Sequence, residues 1–127
     1  LVRNAVDHGI EAPAVRAARG KPAEGTVRIA AALLGDRLVV TVHDDGAGLD
    51  VAALRRRLAA LGEPVPADDR AVARRLFQGN VSSREAADAI SGRGVGLDAV
   101  RAALARARGG VDVAWQPGAG TTFTLDV

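Results

Sequence analysis

The chain has 127 residues with a net charge of +2, no cysteine, 48% apolar residues and 25% charged residues. This length and composition are typical of one soluble globular domain, 1–127, and exclude a disulfide framework and a thiolate metal site. No apolar run approaches the roughly 18 residues of a membrane span, and no secretory signal is recognisable. We therefore expect a cytoplasmic protein without direct membrane insertion.

Local patterning in the first part of the chain predicts two short helices and a β-hairpin. Apolar spacing predicts the end of a helix over 1–8, and a proline near the first turn favours a short helix over 13–19. Alternating residues predict strands over 26–34 and 37–42. The Gly35-Asp36 pair between them is typical of a two-residue hairpin turn.

The second part predicts helices, a lid and a second strand pair. The least periodic stretch, about 78–92, is small, polar and flanked by glycine, which indicates a mobile lid. Helices are predicted over 51–61, 68–77 and 95–108, and strands over 111–116 and 121–127. Together the elements predict an α+β two-layer sandwich, with helices on one face of a mainly antiparallel sheet. The chain lacks methionine and begins inside a helical pattern, so we expect an N-terminally truncated piece of a longer protein.

Three glycines precede the last predicted helix, as Gly92-Arg93-Gly94-Val95-Gly96. Glycine lets a ligand approach the backbone, and a helix N-terminus presents free N–H groups that suit phosphate. The single-residue spacing does not match the Gly-x-Gly-x-x-Gly of a Rossmann site, and the lysine of a P-loop is absent. The run is therefore a candidate phosphate loop of another kind.

Two further polar blocks carry candidate chemistry. Asp44-x-Gly46-x-Gly48 follows a predicted strand directly, and its carboxylate can accept a hydrogen bond from an adenine amino group. Its spacing does not fit an EF-hand, and a simple turn cluster is the plainer interpretation. Asn4 and His8 lie one helical turn apart, and an amide oxygen suits a hydrated Mg²⁺ that binds phosphates. A polar face at a helix end would give the same pattern.

In this order the three blocks resemble the ATP-binding catalytic domain of histidine kinases, which belongs to a wider group that also includes the gyrase, Hsp90 and MutL ATPases. Within this group, the residues of these blocks are most similar to those of the chemotaxis histidine kinases called CheA. The similarity rests on residues 4–11, on Gly20-Lys21-Pro22 with Gly25-Thr26, and on 91–96, and it runs over essentially the whole chain. It implies the histidine kinase/Hsp90-type ATPase fold.

The resemblance also implies roles for individual residues. Asn4 is the Mg²⁺ ligand, Asp44 binds adenine, and Arg57 reaches phosphate. Thr122, in preference to Thr121, contacts the adenine side through its hydroxyl. The full nucleotide-binding set implied is Asn4, Asp7, His8, Asp44, Gly46, Gly48, Arg57, Ser83, Gly92, Arg93, Gly94, Val95, Gly96, Leu97 and Thr122.

The function implied is transfer of the ATP γ-phosphoryl group to a histidine on a separate phosphotransfer domain, so no catalytic side chain is assigned here. The implied partners are that histidine phosphotransfer domain, response regulators, a coupling protein and chemoreceptors, all met through parts outside these residues. The full-length protein is expected to be a homodimer.

The sequence leaves an alternative of a different class, a non-catalytic nucleotide-sensing or scaffolding module of the same fold. It is favoured because residues 77–83 depart from the lid segment of the family that the chain resembles, and because the histidine that this family carries just before the position of Leu1 is absent from these residues. Asn4, Asp44 and the three loop glycines argue against it. A water-activating ATPase is disfavoured since no glutamate precedes Asn4. Nucleic-acid binding is disfavoured because acids are interspersed with the arginines and only three aromatic residues are present.

Overall fold

The computed structural model describes residues 1–77 and 97–127. The predicted lid, Ser83 and the Gly92–Gly96 loop lie outside the described residues. The helices are α1 (Val2–Asn4), α2 (Pro13–Ala18), α3 (Val51–Ala60), α4 (Asp69–Arg74) and α5 (Leu97–Ala107), and the strands are β1 (Val27–Leu34), β2 (Arg37–Asp44), β3 (Gly110–Gln116) and β4 (Gly120–Asp126). No helix in these two ranges is long and apolar enough to cross a membrane.

The four strands form one antiparallel sheet in the order β1-β2-β4-β3. The predicted hairpin turn is confirmed: β1 ends at Leu34, β2 begins at Arg37, and Gly35 has φ +64°. A primed two-residue turn requires such a positive φ, which glycine adopts without steric cost. The predicted α+β class with an antiparallel sheet is confirmed.

The helices lie on one face of this sheet. Directly paired residues of antiparallel strands point to the same side, and Val42 pairs with Phe123, which pairs with Val113. All three are buried, and Ala73 of α4 packs on the last two. The rings of Phe77 and Phe123 meet edge to face with centroids 5.7 Å apart. A second cluster between α3 and α4 consists of Leu54, Leu58 and Val72.

Two predicted helices differ in detail from the structure. The segment predicted as helix over 68–77 begins as expected, because Asp68 accepts the Ala71 N–H at 2.8 Å, but it tightens to a 3₁₀ turn over Arg75–Phe77. The segment predicted over 1–8 is α-helical only to Asn4 and widens to a π-helical turn over Ala5–Gly9. The Ile10 N–H bonds the carbonyl five residues earlier, that of Ala5, at 2.8 Å. Such π turns are frequent at functional sites.

Strand β1 stays exposed on the side that faces the helices. Ile29 pairs with buried Val42 and so shares its face, yet it is 62% exposed, and Leu33 is 73% exposed. Among the described residues no helix covers this end of the sheet, so the apolar core is concentrated on β2, β3 and β4.

Replacing a core residue and an edge residue tests this distribution. We expect Phe123→Ala to lower the free energy of unfolding by about 3–5 kcal/mol, because it empties the space between the sheet and α4. Leu33→Ala, the matched control, should change it by less than about 1 kcal/mol since that side chain is already exposed. Urea unfolding followed by circular dichroism measures both, and equal losses would contradict the placement of the core.

Candidate functional site

The candidate site is built around the carboxylate of Asp44, at the end of β2. Asp44 is only 3% exposed, and its Oδ1 accepts the Gly46 N–H at 3.0 Å. Burying a carboxylate is costly unless its oxygens are hydrogen-bonded. Within the described ranges this is the one hydrogen bond to the Asp44 carboxylate, and Oδ2 accepts none there.

Three glycines allow the backbone to close around Asp44. A Cβ on Gly9 would lie 3.1 Å from the Asp44 carboxylate. A Cβ on Gly46 would overlap the Gly9 carbonyl oxygen, and one on Gly120 would overlap the Asp44 carbonyl oxygen. The close approach of these segments therefore depends on the absence of a side chain at each position.

Backbone hydrogen bonds tie three parts of the chain together at this point. The Ala47 N–H donates to the Gly9 carbonyl at 2.8 Å, and the Gly118 N–H donates to the Ala47 carbonyl at 2.8 Å. Gly48 has φ +83° and passes close to Gln116, so it too has no room for a side chain. The end of the π turn, the 44–48 loop and the β3–β4 turn consequently form one rigid unit.

The structure separates the two threonines that the sequence left in question. Thr121 pairs with Asp44, so both side chains point to the same face, and both are buried. Thr122 points to the opposite face, where its hydroxyl lies 2.9 Å from Nδ1 of His43. Thr121 is therefore the threonine that shares a face with Asp44, and the role that the resemblance gives to Thr122 stays a prediction. Side chains alternate between the two faces of a strand, so Thr121 lies on the same face as Phe123, two residues further along. This alternation was the signal in the sequence that Thr121 faces the core side.

Of the N-terminal site residues, Asp7 and His8 lie on the π turn, and Asn4 directly precedes it. The π turn that carries Asp7 and His8 packs against both β2 and β4, and Gly9 joins it to the Asp44 carboxylate. Asn4 is half-buried, whereas Asp7 and His8 are exposed. No group of three or more His, Cys, Asp or Glu residues suited to a metal occurs in the part of the chain that the structure describes.

The remaining predicted site residues are placed less closely or not at all. Arg57 is half-buried on α3, and Leu97 begins α5. The structure does not group either with Asp44, so their roles stay predictions. Ser83 and the loop Gly92, Arg93, Gly94, Val95 and Gly96 lie outside the described residues, and their roles stay predictions as well.

Sequence reasoning missed a charged network beside the site, formed by Glu11, Arg16, Arg19, Lys21 and Asp45. Arg16 is fully buried, and its guanidinium bonds Glu11 Oε2 at 3.2 Å and Asp45 Oδ2 at 2.9 Å. Lys21 Nζ bonds Glu11 Oε1 at 2.9 Å, and Arg19 bonds the same oxygen at 3.1 Å. Lys21 lay within a block that carried the family resemblance, but no sequence pattern indicated that Arg16 would be buried.

The network shifts the pKa values of both its acids. The hydrogen bond from the Lys21 ammonium holds the pKa of Glu11 at about 2, against an ordinary value of 4.5. Burial acts to raise the pKa of Asp45, but hydrogen bonds from the Thr26 N–H and the Arg16 guanidinium outweigh it and lower that pKa. Both carboxylates are therefore charged at neutral pH, as their paired cations require.

The family model described as histidine kinase-, DNA gyrase B-, and HSP90-like ATPase matches residues 1–127. The chain belongs to this ATPase family. The chemotaxis protein CheA of Halobacterium salinarum is 42% identical to this ATPase domain over 98% of the chain, and CheA of Rhizobium meliloti is 37% identical over 100%. The gliding motility regulatory protein of Myxococcus xanthus is 38% identical over 98%.

The ATPase domain spans only a fifth or less of these relatives, 20%, 17% and 17% of their lengths respectively. Among solved structures, the histidine kinase domain of a blue-light activated histidine kinase from Erythrobacter litoralis is similar, with a TM-score of 0.43 and 21% identity. The similarity covers 98% of this chain and 37% of that one.

Low pH should lower the free energy of unfolding of the ATPase domain, because it protonates the acids of the charged network. A carboxylate whose pKa is lowered by folding stabilises the fold above its ordinary pKa, and that contribution is lost as pH falls towards its folded pKa. We therefore expect the free energy of unfolding to fall as pH drops from 4.5 to about 2 for Glu11. In Glu11→Gln this contribution is already absent, so urea midpoints should vary less over the same window. Glu24→Gln changes an exposed side chain and leaves the main-chain carbonyl that accepts Arg16, so it should keep the parent dependence. A parent-like slope in Glu11→Gln would contradict the assignment.

Closure of the backbone around Asp44 is tested with two glycines. Gly46→Ala should cost about 3 kcal/mol of unfolding free energy, since the new methyl group overlaps the Gly9 carbonyl and backbone must move. Gly62, with φ +69° and open space around it, is the control, and Gly62→Ala should cost about 1–2 kcal/mol from φ strain alone. Denaturant unfolding compares the two. A smaller loss for Gly46→Ala would show that the turn is looser than described.

Proposed function

We propose that this chain is the ATP-binding catalytic domain of a CheA-like histidine kinase, and that adenine binds at Asp44. The observation that carries the proposal is the buried Asp44 carboxylate, with one oxygen bonded to Gly46 and the other available, in a chain that matches an ATPase family along its whole length. The names of the relatives support the choice of CheA within that family.

The geometry around Asp44 favours adenine over guanine. Because Oδ1 is already occupied by the Gly46 N–H, Oδ2 is the acceptor that would receive the adenine amino group. Guanine places an oxo group there instead, and two acceptors facing each other in a buried pocket cannot be satisfied. Thr121 supplies a hydroxyl on the same face.

The phosphates and Mg²⁺ would lie towards the N-terminal segment. The amide oxygen of Asn4 is a hard donor that fits Mg²⁺, which commonly takes one or two protein ligands and completes its shell with phosphate oxygens and water. The acid groups of the described residues form no cage that could hold a cation without phosphate. When bound, Mg²⁺ would neutralise charge on the phosphates. Asp7 and His8, both exposed, would meet the phosphates or the waters around them.

The chemistry of this domain would be positioning rather than covalent catalysis. A histidine on a separate phosphotransfer domain would attack the γ-phosphorus, the bond to the β–γ bridging oxygen would break, and ADP would leave. Holding these groups in line is most of what phosphoryl transfer demands. The proposal includes response regulators, a coupling protein and chemoreceptors as partners. It also includes a full-length kinase that is homodimeric and cytoplasmic.

Titration of the chain with Mg²⁺-ATP and Mg²⁺-GTP, beside Asp44→Asn, tests the base site. If Oδ1 keeps its bond to Gly46, the new NH₂ group faces the adenine amino group, donor against donor. We expect ATP affinity to fall at least about tenfold, with a relative gain for GTP, whose oxo group accepts from that NH₂. Calorimetry measures both constants, and circular dichroism verifies the fold. Unchanged ATP binding in Asp44→Asn would refute the adenine assignment.

Transfer is tested separately with γ-labelled ATP and a histidine phosphotransfer domain. If the domain is a kinase, the labelled phosphoryl group should appear on the acceptor histidine as an acid-labile phosphohistidine. ATP binding without any transfer would instead favour the non-catalytic nucleotide-sensing module.

A further inference from the structure

The charged network holds the backbone just after Asp44. Lys21 Nζ bonds the carbonyl oxygens of Asp45 and Gly46, at 2.9 and 2.8 Å. Arg16 Nη1 also bonds the Asp45 carbonyl, at 3.2 Å. Two cations from the segment that follows the π turn therefore converge on one carbonyl of the 44–48 loop.

That carbonyl controls the hydrogen bond that orients Asp44. The Asp45 carbonyl and the Gly46 N–H belong to the same planar trans peptide, so they point in opposite directions and turn together. The Gly46 N–H is the group that holds Asp44 Oδ1. Fixing the carbonyl from one side with Arg16 and Lys21 thus fixes, on the other side, the donor that sets the direction of the Asp44 carboxylate.

The side chain of Asp45 adds a second restraint on the same peptide. Its Oδ2 receives Arg16 at 2.9 Å, and its Oδ1 receives the Thr26 N–H at 2.9 Å. Charge-assisted hydrogen bonds are about twice as strong as neutral ones, and the Arg16 partner of Asp45 is fully buried. Asp45 is therefore held both through its main-chain carbonyl and through its carboxylate, and both contacts restrain the Asp45–Gly46 peptide.

We propose that Arg16 and Lys21 are positioning residues that set the selectivity of the base site for adenine. They touch no base atom. Their effect passes through the Asp45–Gly46 peptide to Asp44 Oδ2, and the inference rests on the proposed role of Asp44 in binding adenine.

The chain supplies a matched control in Arg19. Arg19 and Lys21 bond the same oxygen of Glu11, but only Lys21 also bonds the 44–48 loop. Lys21→Met and Arg19→Met each remove one positive charge and one bond to Glu11. A difference between the two variants therefore reports on the contact with the loop.

The first measurement uses the nucleotide-free chain. Amide hydrogen exchange of Gly46, followed by NMR, should be at least about tenfold faster in Lys21→Met than in the parent, the equivalent of one charge-assisted hydrogen bond. Arg19→Met should stay within about twofold of the parent and Lys21→Arg should restore protection. Equal exchange in Lys21→Met and Arg19→Met would overturn the proposed link between Lys21 and the Gly46 amide.

The second measurement is the ratio of ATP to GTP affinity in the same proteins. We expect the ratio to fall about tenfold in Lys21→Met and to be unchanged in Arg19→Met. A lower thermal midpoint with an unchanged ratio would overturn the selectivity role and leave a merely structural one.

If Lys21→Met fails to fold, Lys21→Gln, which removes the charge but keeps an NH₂ donor group, takes its place. A parent chain that does not prefer ATP would refute the proposed function itself, whereas a selective parent with an unaltered Lys21→Met ratio refutes only the positioning role.

Discussion

The hydrogen bond between the Gly46 amide and the Asp44 carboxylate is the contact on which the site depends. It satisfies one oxygen of a buried acid and leaves the other facing the position that we assign to a base. The glycines at 9, 46 and 120 are needed because the backbone must come within contact distance of Asp44 from three directions. The antiparallel register then brings Thr121 to the same face.

Much of the scaffold follows from local sequence rules. The alternation of β1 and β2 with Gly35 between them, and the capping of α4 by Asp68, each have a direct local cause and were predictable. Asp44 could be identified as well, since a carboxylate followed by spaced glycines at a strand end is a distinctive pattern. Its hydrogen bond and its burial required the structure.

Other features depend on contacts between distant segments. Nothing near Arg16 distinguishes it from exposed arginines, because its burial results from Pro22, Glu24 and Asp45 closing over it. The π turn at Ala5–Gly9 likewise accompanies packing on β2 and β4 rather than any local propensity. The alternation of side chains along β4 places Thr121 on the face of Asp44, and the role of Thr122 stays a prediction from the family resemblance.

The bond between the Ala47 N–H and the Gly9 carbonyl gives the molecule a mechanical property. Gly9 ends the π turn that follows Asn4, so a main-chain hydrogen bond joins the segment proposed for the metal to the loop proposed for the base. Because this bond joins main chain to main chain, a substitution that displaces the 44–48 loop is expected to displace Gly9 and the π turn with it.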